Sequence, residues 1–215
     1  VENLTQDQVI QAMLRTGKSY GKVEVPEKDW DSLPVILDVK TAKYAGKEHQ
    51  LNFQVRKGEV VGLSGLLGSG RSELVRAIYG ADKPDGGELY VKGEKLDVKA
   101  PINAMHKGMA YCPEDRKVEG IIADLSVREN MILALQAKRG MFKLMSRKEQ
   151  EELTDKYIKM LQVKTASRET PIKSLSGGNQ QKVILGRWLM TEPDFLIQAR
   201  PGCHGGCLRH SLSVL

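Results

Sequence analysis

A glycine-rich loop between a short apolar run and an amphipathic segment constrains the fold of this chain more than any other feature. The run Glu59–Leu63 reads EVVGL, which is typical of a buried strand. The segment Ser72–Tyr79 follows the loop and places Leu74, Val75 and Ile78 at helical spacing. A strand, a glycine loop and a helix in this order are typical of parallel α/β proteins. We therefore expect an α/β fold.

The loop matches a phosphate-binding pattern with one exception. The segment GLLGSGRS fits G-x-x-x-x-G-K-[ST] except that Arg71 replaces lysine with a broad planar fork. Glycines let backbone N–H groups turn toward phosphate oxygens, and the helix start adds the positive end of its dipole. The hydroxyl of Ser72 is suited to Mg²⁺. The alternative is a glycine turn without a ligand. The predicted phosphate loop consists of Gly65, Gly68, Ser69, Gly70, Arg71 and Ser72.

A second helix start has the same character. The octamer LSGGNQQK precedes a helix expected from about Asn179 to Met190. The exposed N–H groups at such a start form an anion site, and two glycines allow another backbone to approach. A serine-capped helix with a flexible entry is the alternative. The predicted second site consists of Leu175, Ser176, Gly177, Gly178, Asn179 and Gln180.

The composition favours a cytosolic globular protein. Of the 215 residues 40% are hydrophobic and 28% are charged, and no apolar run is long enough to cross a bilayer. The first residues do not form a secretory signal, and three cysteines do not make a disulfide framework. Basic and acidic residues alternate along the chain, so the net charge of +6 indicates a solvated surface rather than a nucleic-acid partner.

The remaining elements are predicted from hydrophobic period and capping signals. A helix beginning near Thr5 and a connector occupy residues 1–34. Residues 121–172 are expected to be mostly helical, with capping boxes at Ser126/Glu129 and Ser146/Glu149. The second of these helices would carry one apolar face of Leu153, Tyr157, Met160 and Leu161. Further strands are expected at Val35–Val39, Leu51–Val55, Glu88–Lys92 and Met109–Cys112, and another begins at Phe195–Ile197.

Together, the loop and the octamer resemble the ATP-binding cassette (ABC) family, whose signature motif is similar to residues 175–182. The stretches GLSGLLGSGRSELVRAIYG, YCPEDRKVEGII and LSGGNQQKVILGRWLMTEPDFLI closely resemble the second cassette of sugar-import ATPases of the ribose/galactose/xylose class. The resemblance implies a P-loop NTPase cassette with a parallel-sheet core, an antiparallel β subdomain and a helical subdomain. It places the tail of a preceding cassette and a linker at 1–34, and the cassette at 35–197, incomplete at its C-terminal end.

The resemblance also implies ligands, partners and residue roles. The cofactors would be ATP and Mg²⁺, and Glu114 would take the glutamine-loop position that couples them to the membrane subunits. Residues 120–172 would dock on permease subunits at the cytoplasmic face of the membrane. Tyr44 would stack on adenine, although a half-buried strand residue is an equal alternative. The signature would touch the γ-phosphate held by another cassette, in the same polypeptide or a second copy. A sugar-binding protein would take part indirectly.

The sequence departs from the family after Ile197. The family pattern has one more apolar residue and then Asp-Glu, a carboxylate pair that supports Mg²⁺ and activates water. This chain has Gln198-Ala199-Arg200 instead, so no catalytic carboxylate is identified. We interpret residues 198–215 as an aberrant or non-native tail. Its possible metal ligands do not match the usual zinc spacing. They are Cys203, His204, Cys207 and His210.

The sequence is compatible with three functions. The first is a truncated second cassette of a sugar importer, which would be inactive as an isolated chain. The second is a non-catalytic nucleotide-binding half that supplies its signature to a partner cassette. The third is a nucleic-acid-associated ABC protein, which only the basic charge favours.

Overall fold

The computed structural model describes residues 29–44, 46, 50–66, 68–140, 142–203 and 207–214. Two compact units are present, Val1–Ser32 and Leu33–Leu215. The described part of the first unit contains one 3-10 turn, Trp30–Ser32. The helix predicted near Thr5 lies outside the described residues.

One sheet of the second unit is antiparallel and has the strand order β2-β1-β4-β5. Its strands were predicted in place, apart from the two-residue β5 and shifts of the ends. The strands are β1 (Val35–Lys43), β2 (Leu51–Arg56), β4 (Gly86–Val91) and β5 (Glu94–Lys95). Gly87 has φ 103°, and a Cβ there would lie 2.7 Å from the carbonyl oxygen of Thr41. The close approach of β1 and β4 therefore requires a glycine.

The other sheet has the strand order β3-β8-β7-β6. It consists of β3 (Val60–Leu66), β6 (Met109–Cys112), β7 (Phe195–Cys203) and β8 (Cys207–Val214). Strands β6 and β7 are parallel, with Met109 opposite Phe195 and Cys112 opposite Gln198. Strand β8 is antiparallel to both β3 and β7 and lies between them.

This arrangement differs from the boundary expected at residue 197. Strand β7 continues to Cys203, and β8 occupies the sheet position beside the strand of the phosphate loop. A hairpin therefore stands where only an incomplete sheet was expected. The non-native origin of residues 198–215 stays a prediction. The side chains of the four possible metal ligands lie outside the described residues.

Three helices accompany the sheets: α1 (Arg71–Tyr79), α2 (Pro101–His106) and α5 (Gly177–Leu189). The predicted apolar face of α1 is confirmed, because Leu74, Val75 and Ile78 are all buried in the main core. Tyr79 stacks on Tyr111 with ring centroids 5.3 Å apart. Helix α5 begins two residues earlier than predicted, so that the signature glycines form its first turn.

The helical region contains α3 (Val127–Arg139) and α4 (Arg147–Met160), which share a second core with α5. The capping box at Ser126/Glu129 is confirmed. At the start of α4 only half of the predicted box forms, because the Glu149 carboxylate pairs with Arg139. The predicted apolar face of α4 is wrong at Met160, which is 55% exposed. Ile158 packs against the core in its place. Within the described residues, no helix is long and apolar enough to span a membrane.

A buried polar network joins α3 to α5. The Asn130 side chain is fully buried and donates to the carbonyl oxygens of Ile122, Leu125 and Ser126 at 3.0 to 3.2 Å. Arg187 Nε donates to the Asn130 carbonyl oxygen at 2.7 Å, and its Nη2 donates to Asn130 Oδ1 at 3.0 Å. Burial lowers the pKa of Arg187 to about 10. Asn130 therefore satisfies both a loop backbone and a buried guanidinium.

Replacing Asn130 by alanine should lower the free energy of unfolding by about 3 kcal/mol, because buried carbonyl groups and the Arg187 guanidinium lose a partner. Urea unfolding followed by circular dichroism measures this. The matched control is Asn103→Ala, which removes one exposed hydrogen bond to the Asp97 carbonyl and should cost less than about 1 kcal/mol. Equal losses in the two variants would contradict the role given to Asn130.

Candidate functional site

The predicted phosphate loop joins the end of β3 to the start of α1. Gly68 and Gly70 have φ of 79° and 89°, a left-handed conformation that L side chains rarely adopt. Gly70 precedes the first residue of α1, and its carbonyl oxygen accepts the first helical hydrogen bond from Leu74. The backbone thus turns tightly into the helix, and α1 directs the positive end of its dipole toward the loop.

Arg71 is folded against the loop. Its Nε donates to Ser69 Oγ at 2.9 Å, and the residue is only 7% exposed. A Cβ on Gly65 would lie 2.9 Å from Ser69 Oγ and 3.4 Å from Arg71 Nε. Gly65 is therefore needed for Ser69 and Arg71 to pack there. Arg71, which stands where the family pattern has lysine, therefore contacts the predicted phosphate loop through Ser69.

Ser72 and Glu114 are brought together, although they are far apart in sequence. Ser72 Oγ donates to Glu114 Oε2 at 3.1 Å, and both residues are half-buried. Ser72 lies in the first turn of α1, and Glu114 follows the buried strand β6. A hydroxyl and a carboxylate oxygen are ligands that Mg²⁺ prefers. The pair fits a magnesium ion beside the phosphate loop.

Residues 114–120, called the 114–120 loop below, contact α1 at two positions. Glu114 bonds to Ser72, and Glu119 forms an ion pair with Arg76, also on α1. Arg76 also forms a bidentate pair with Asp82, at 2.7 and 2.9 Å. These carboxylates raise the pKa of Arg76, and Arg76 lowers the pKa of Asp82.

Asp115 shapes the same loop. Its carboxylate accepts from the backbone N–H groups of Lys117 and Val118, at 2.9 and 3.2 Å, and caps a π-helical turn at Arg116–Gly120. The turn directs Arg116 to α5, where its Nε donates to Gln180 Oε1 at 3.3 Å. The 114–120 loop therefore contacts both predicted phosphate sites.

The signature residues form the start of α5. Ser176 is the N-cap and is exposed together with Gly178. Asn179 Nδ2 donates to Ser176 Oγ at 3.0 Å, and Asn179 Oδ1 accepts from the Lys164 N–H at 2.9 Å. Leu175 is buried in the second core, which α3, α4 and α5 share. Ser176 makes no side-chain cap hydrogen bond to α5, so the backbone N–H groups in the first turn of the helix can bind another molecule.

Tyr44 is not a half-buried strand residue, which was the alternative to its stacking on adenine. It follows β1 and is 7% exposed, within the main core. It also lines a small apolar cavity with Leu74, Ile78 and Leu96. Burial is the main cause that raises its pKa, and Glu73 adds to it. Adenine stacking by Tyr44 stays a prediction.

Strand β7 carries no carboxylate at the two positions where the family pattern has Asp-Glu. Gln198 is half-buried opposite Cys112 of β6, two residues before Glu114. Ala199 and Arg200 follow it in the same strand. The backbone thus brings Gln198 close to the start of the 114–120 loop, without the acidic pair that the family pattern has after this position.

Sequence reasoning missed Arg116, Arg76 and Glu119. The tripeptide Glu114-Asp115-Arg116 was visible as a departure from the glutamine-loop pattern, but only its first residue was given a role. The contact of Arg116 with α5 depends on the turn that Asp115 caps. The ion pair of Arg76 and Glu119 carried no recognisable signal.

The ABC transporter family model matches residues 49–198. The chain is similar to the fructose import ATP-binding protein FruK of Bifidobacterium longum, with 51% identity over 77% of this chain and 32% of that protein. It is 50% identical to the galactofuranose transporter ATP-binding protein YtfR of Escherichia coli K12, over 74% of this chain and 33% of that protein. The ribose import ATP-binding protein RbsA of Bacillus cereus ATCC 14579 is 36% identical over 97% of this chain and 42% of its own length.

The chain thus spans about a third of the length of FruK and YtfR, as their coverage of 32% and 33% shows.

Solved structures agree on the fold. The ADP conformation of the ATP-binding cassette MJ1267 has a TM-score of 0.57 and 26% identity, over 74% of this chain and 66% of that one. A dimeric post-hydrolysis state of the cassette MJ0796, bound to ADP and phosphate, has a TM-score of 0.58 and 24% identity, over 74% and 71%.

The family model covers well over half of the chain, and the phosphate loop and the signature both stand at helix starts within that match. On this evidence the chain belongs to the ABC transporter family.

Proposed function

We propose that the chain is part of the ATP-binding subunit of a sugar ABC importer, within its second cassette. The observation that carries the proposal is the pairing of a phosphate loop at the start of α1 with a signature at the start of α5. The similar proteins are named for fructose, galactofuranose and ribose. Because these sugars differ, the proposal extends to the class of carbohydrates and to no single sugar.

The phosphate loop and its neighbours would hold nucleotide and Mg²⁺. Backbone N–H groups of residues 68–72 would meet the phosphates, and Ser72 and Glu114 would bind the ion. The bound Mg²⁺ would neutralise phosphate charge. Arg71 would supply a cation, although its bond to Ser69 must be exchanged for one to phosphate. We therefore propose that this loop binds nucleotide less tightly than a loop with lysine.

The signature would serve nucleotide that another cassette holds. That cassette would belong to the same polypeptide or to a second copy. Residues 120–172 would face permease subunits. The chain would then lie at the cytoplasmic face of the membrane, and a sugar-binding protein would act through the permease. Three relatives are named for import or transport of a sugar, so a nucleic-acid role is not proposed.

Binding of Mg²⁺ at Ser72 and Glu114 can be measured by titrating a fluorescent ADP analogue with and without the ion. Mg²⁺ should increase the affinity of the wild-type chain. This gain should fall about tenfold in Ser72→Ala and in Glu114→Ala, because each removes a side-chain oxygen ligand. Glu73→Gln removes an exposed carboxylate from the same helix and is the matched control. A gain unchanged in both site variants would contradict the assignment.

The isolated chain should not hydrolyse ATP, because Gln198, Ala199 and Arg200 provide no carboxylate to activate water. Phosphate release at saturating MgATP should equal that of a denatured sample. Measurable turnover that disappears in Ser176→Ala or in a Gly177 variant would overturn this expectation.

The partner role of the signature can be tested by titrating fluorescent ATP into a first-cassette protein with and without this chain. The chain should increase the affinity at least tenfold, because its helix start would add N–H groups to the phosphates. Ser176→Ala should lose part of that gain. The exposed Ser167→Ala, which lies away from the signature, is the control. No effect of the wild-type chain would contradict the proposed function.

A further inference from the structure

Arg116 contacts α5 through the side chain of Gln180, which a second hydrogen bond holds in place. Arg116 Nε donates to Gln180 Oε1 at 3.3 Å, and Gln180 Nε2 donates to the Ile172 carbonyl oxygen at 3.2 Å. Gln180 is 8% exposed and lies in the first turn of α5. Its amide thus links the turn before α5 to the 114–120 loop.

The same guanidinium lies against the first signature glycine. A Cβ on Gly177 would be 2.6 Å from Arg116 Nη2 and 3.1 Å from its Cζ. Gly177 has no positive φ, so its backbone conformation does not require glycine. The missing side chain at Gly177 instead makes room for Arg116.

The charge of Arg116 stands at an unfavourable end of the helix. The N-terminus of α5 is the positive end of its dipole, where a cation is repelled and an anion is attracted. Asp115, the carboxylate next to Arg116, is engaged in capping its own turn. The contact is therefore poorly explained by helix stability alone, and it becomes favourable when a phosphate approaches this turn.

We propose that Arg116 is a positioning residue that fixes the first turn of the signature helix from the 114–120 loop. This rests on the proposed function, in which that turn meets nucleotide held by another cassette. Because Glu114 of the same loop bonds to Ser72, a displacement at the chain's own phosphate loop moves Arg116 and with it the signature. One short loop then connects the two phosphate sites of the chain.

The test is hydrogen–deuterium exchange of the full chain, read at residues 180–182 of α5. Arg116→Ala should raise the exchange rates of these amides at least threefold, while α3 keeps its wild-type rates and reports an intact fold. Arg116→Lys retains the charge and should give a smaller increase. Lys117→Ala removes the next, exposed cation and is the matched control. Wild-type rates in both Arg116 variants would overturn the proposal.

Gly177→Ala provides a second test. The atoms nearest the added methyl group belong to the flexible end of Arg116, so the variant should displace the guanidinium and leave the helix in place. Exchange should rise as in Arg116→Ala, and the double variant should show no further increase. Additive increases would mean that the two residues act separately, and would overturn the proposed fit.

The partner titration separates this inference from the proposed function. If the wild-type chain increases the ATP affinity of a first cassette, Arg116→Ala should lose most of that gain, Arg116→Lys should recover part of it, and Lys117→Ala should keep it. A full gain in Arg116→Ala would overturn the positioning role. If the wild-type chain has no effect, the proposed function fails, while the exchange rates still decide whether Arg116 fixes the helix start.

Discussion

The bond between Ser72 and Glu114 is the interaction on which the arrangement of the site depends. It joins the helix that follows the phosphate loop to the loop that follows β6, two segments that the chain order alone would leave apart. A hydroxyl–carboxylate bond of this kind is modest in energy when it is half exposed to water. Its importance is geometric, because it sets where the 114–120 loop begins and hence where Asp115 and Arg116 lie.

The sheet of β3, β6, β7 and β8 keeps its backbone pairing at a position where the expected side chains are absent. Strand β7 pairs with β6 in parallel register as far as Gln198, which lies opposite Cys112, two residues before Glu114. The acidic pair expected there is missing from the sequence. The hairpin then turns back, and β8 supplies hydrogen bonds to β3 along its whole length. Sheet pairing depends on backbone groups, whereas activation of water depends on two side chains at fixed positions.

Much of the fold could be predicted from local pattern. The strand Met109–Cys112, the buried face of α1 and the capping box at Ser126 were all recognised because each is a signal within a few residues. The course of residues 198–214 could not be predicted, since antiparallel pairing with β3 depends on a partner far away in sequence. The exposure of Met160 was missed because Met160 is the last residue of α4, and helical spacing alone does not show where the core opposite the helix ends.

The positions of the candidate site residues were predictable to the same degree. Both glycine motifs follow from residue types at fixed spacing, and Glu114 follows from the family pattern. The contacts of Arg71 and Arg116 depend on rotamers and on which glycine leaves space for a guanidinium, and no spacing rule contains that information.

The parallel pairing of β6 with β7 has a consequence for how the chain folds. Met109 lies beside Phe195, and the helical region of α3 and α4 is inserted between them in sequence. Closing this pair requires the ends of a long segment to meet, which costs loop entropy before any hydrogen bond is gained. The helical region, built from local contacts, can collapse first and shorten the effective loop. We therefore expect the helical region to form before β6 pairs with β7.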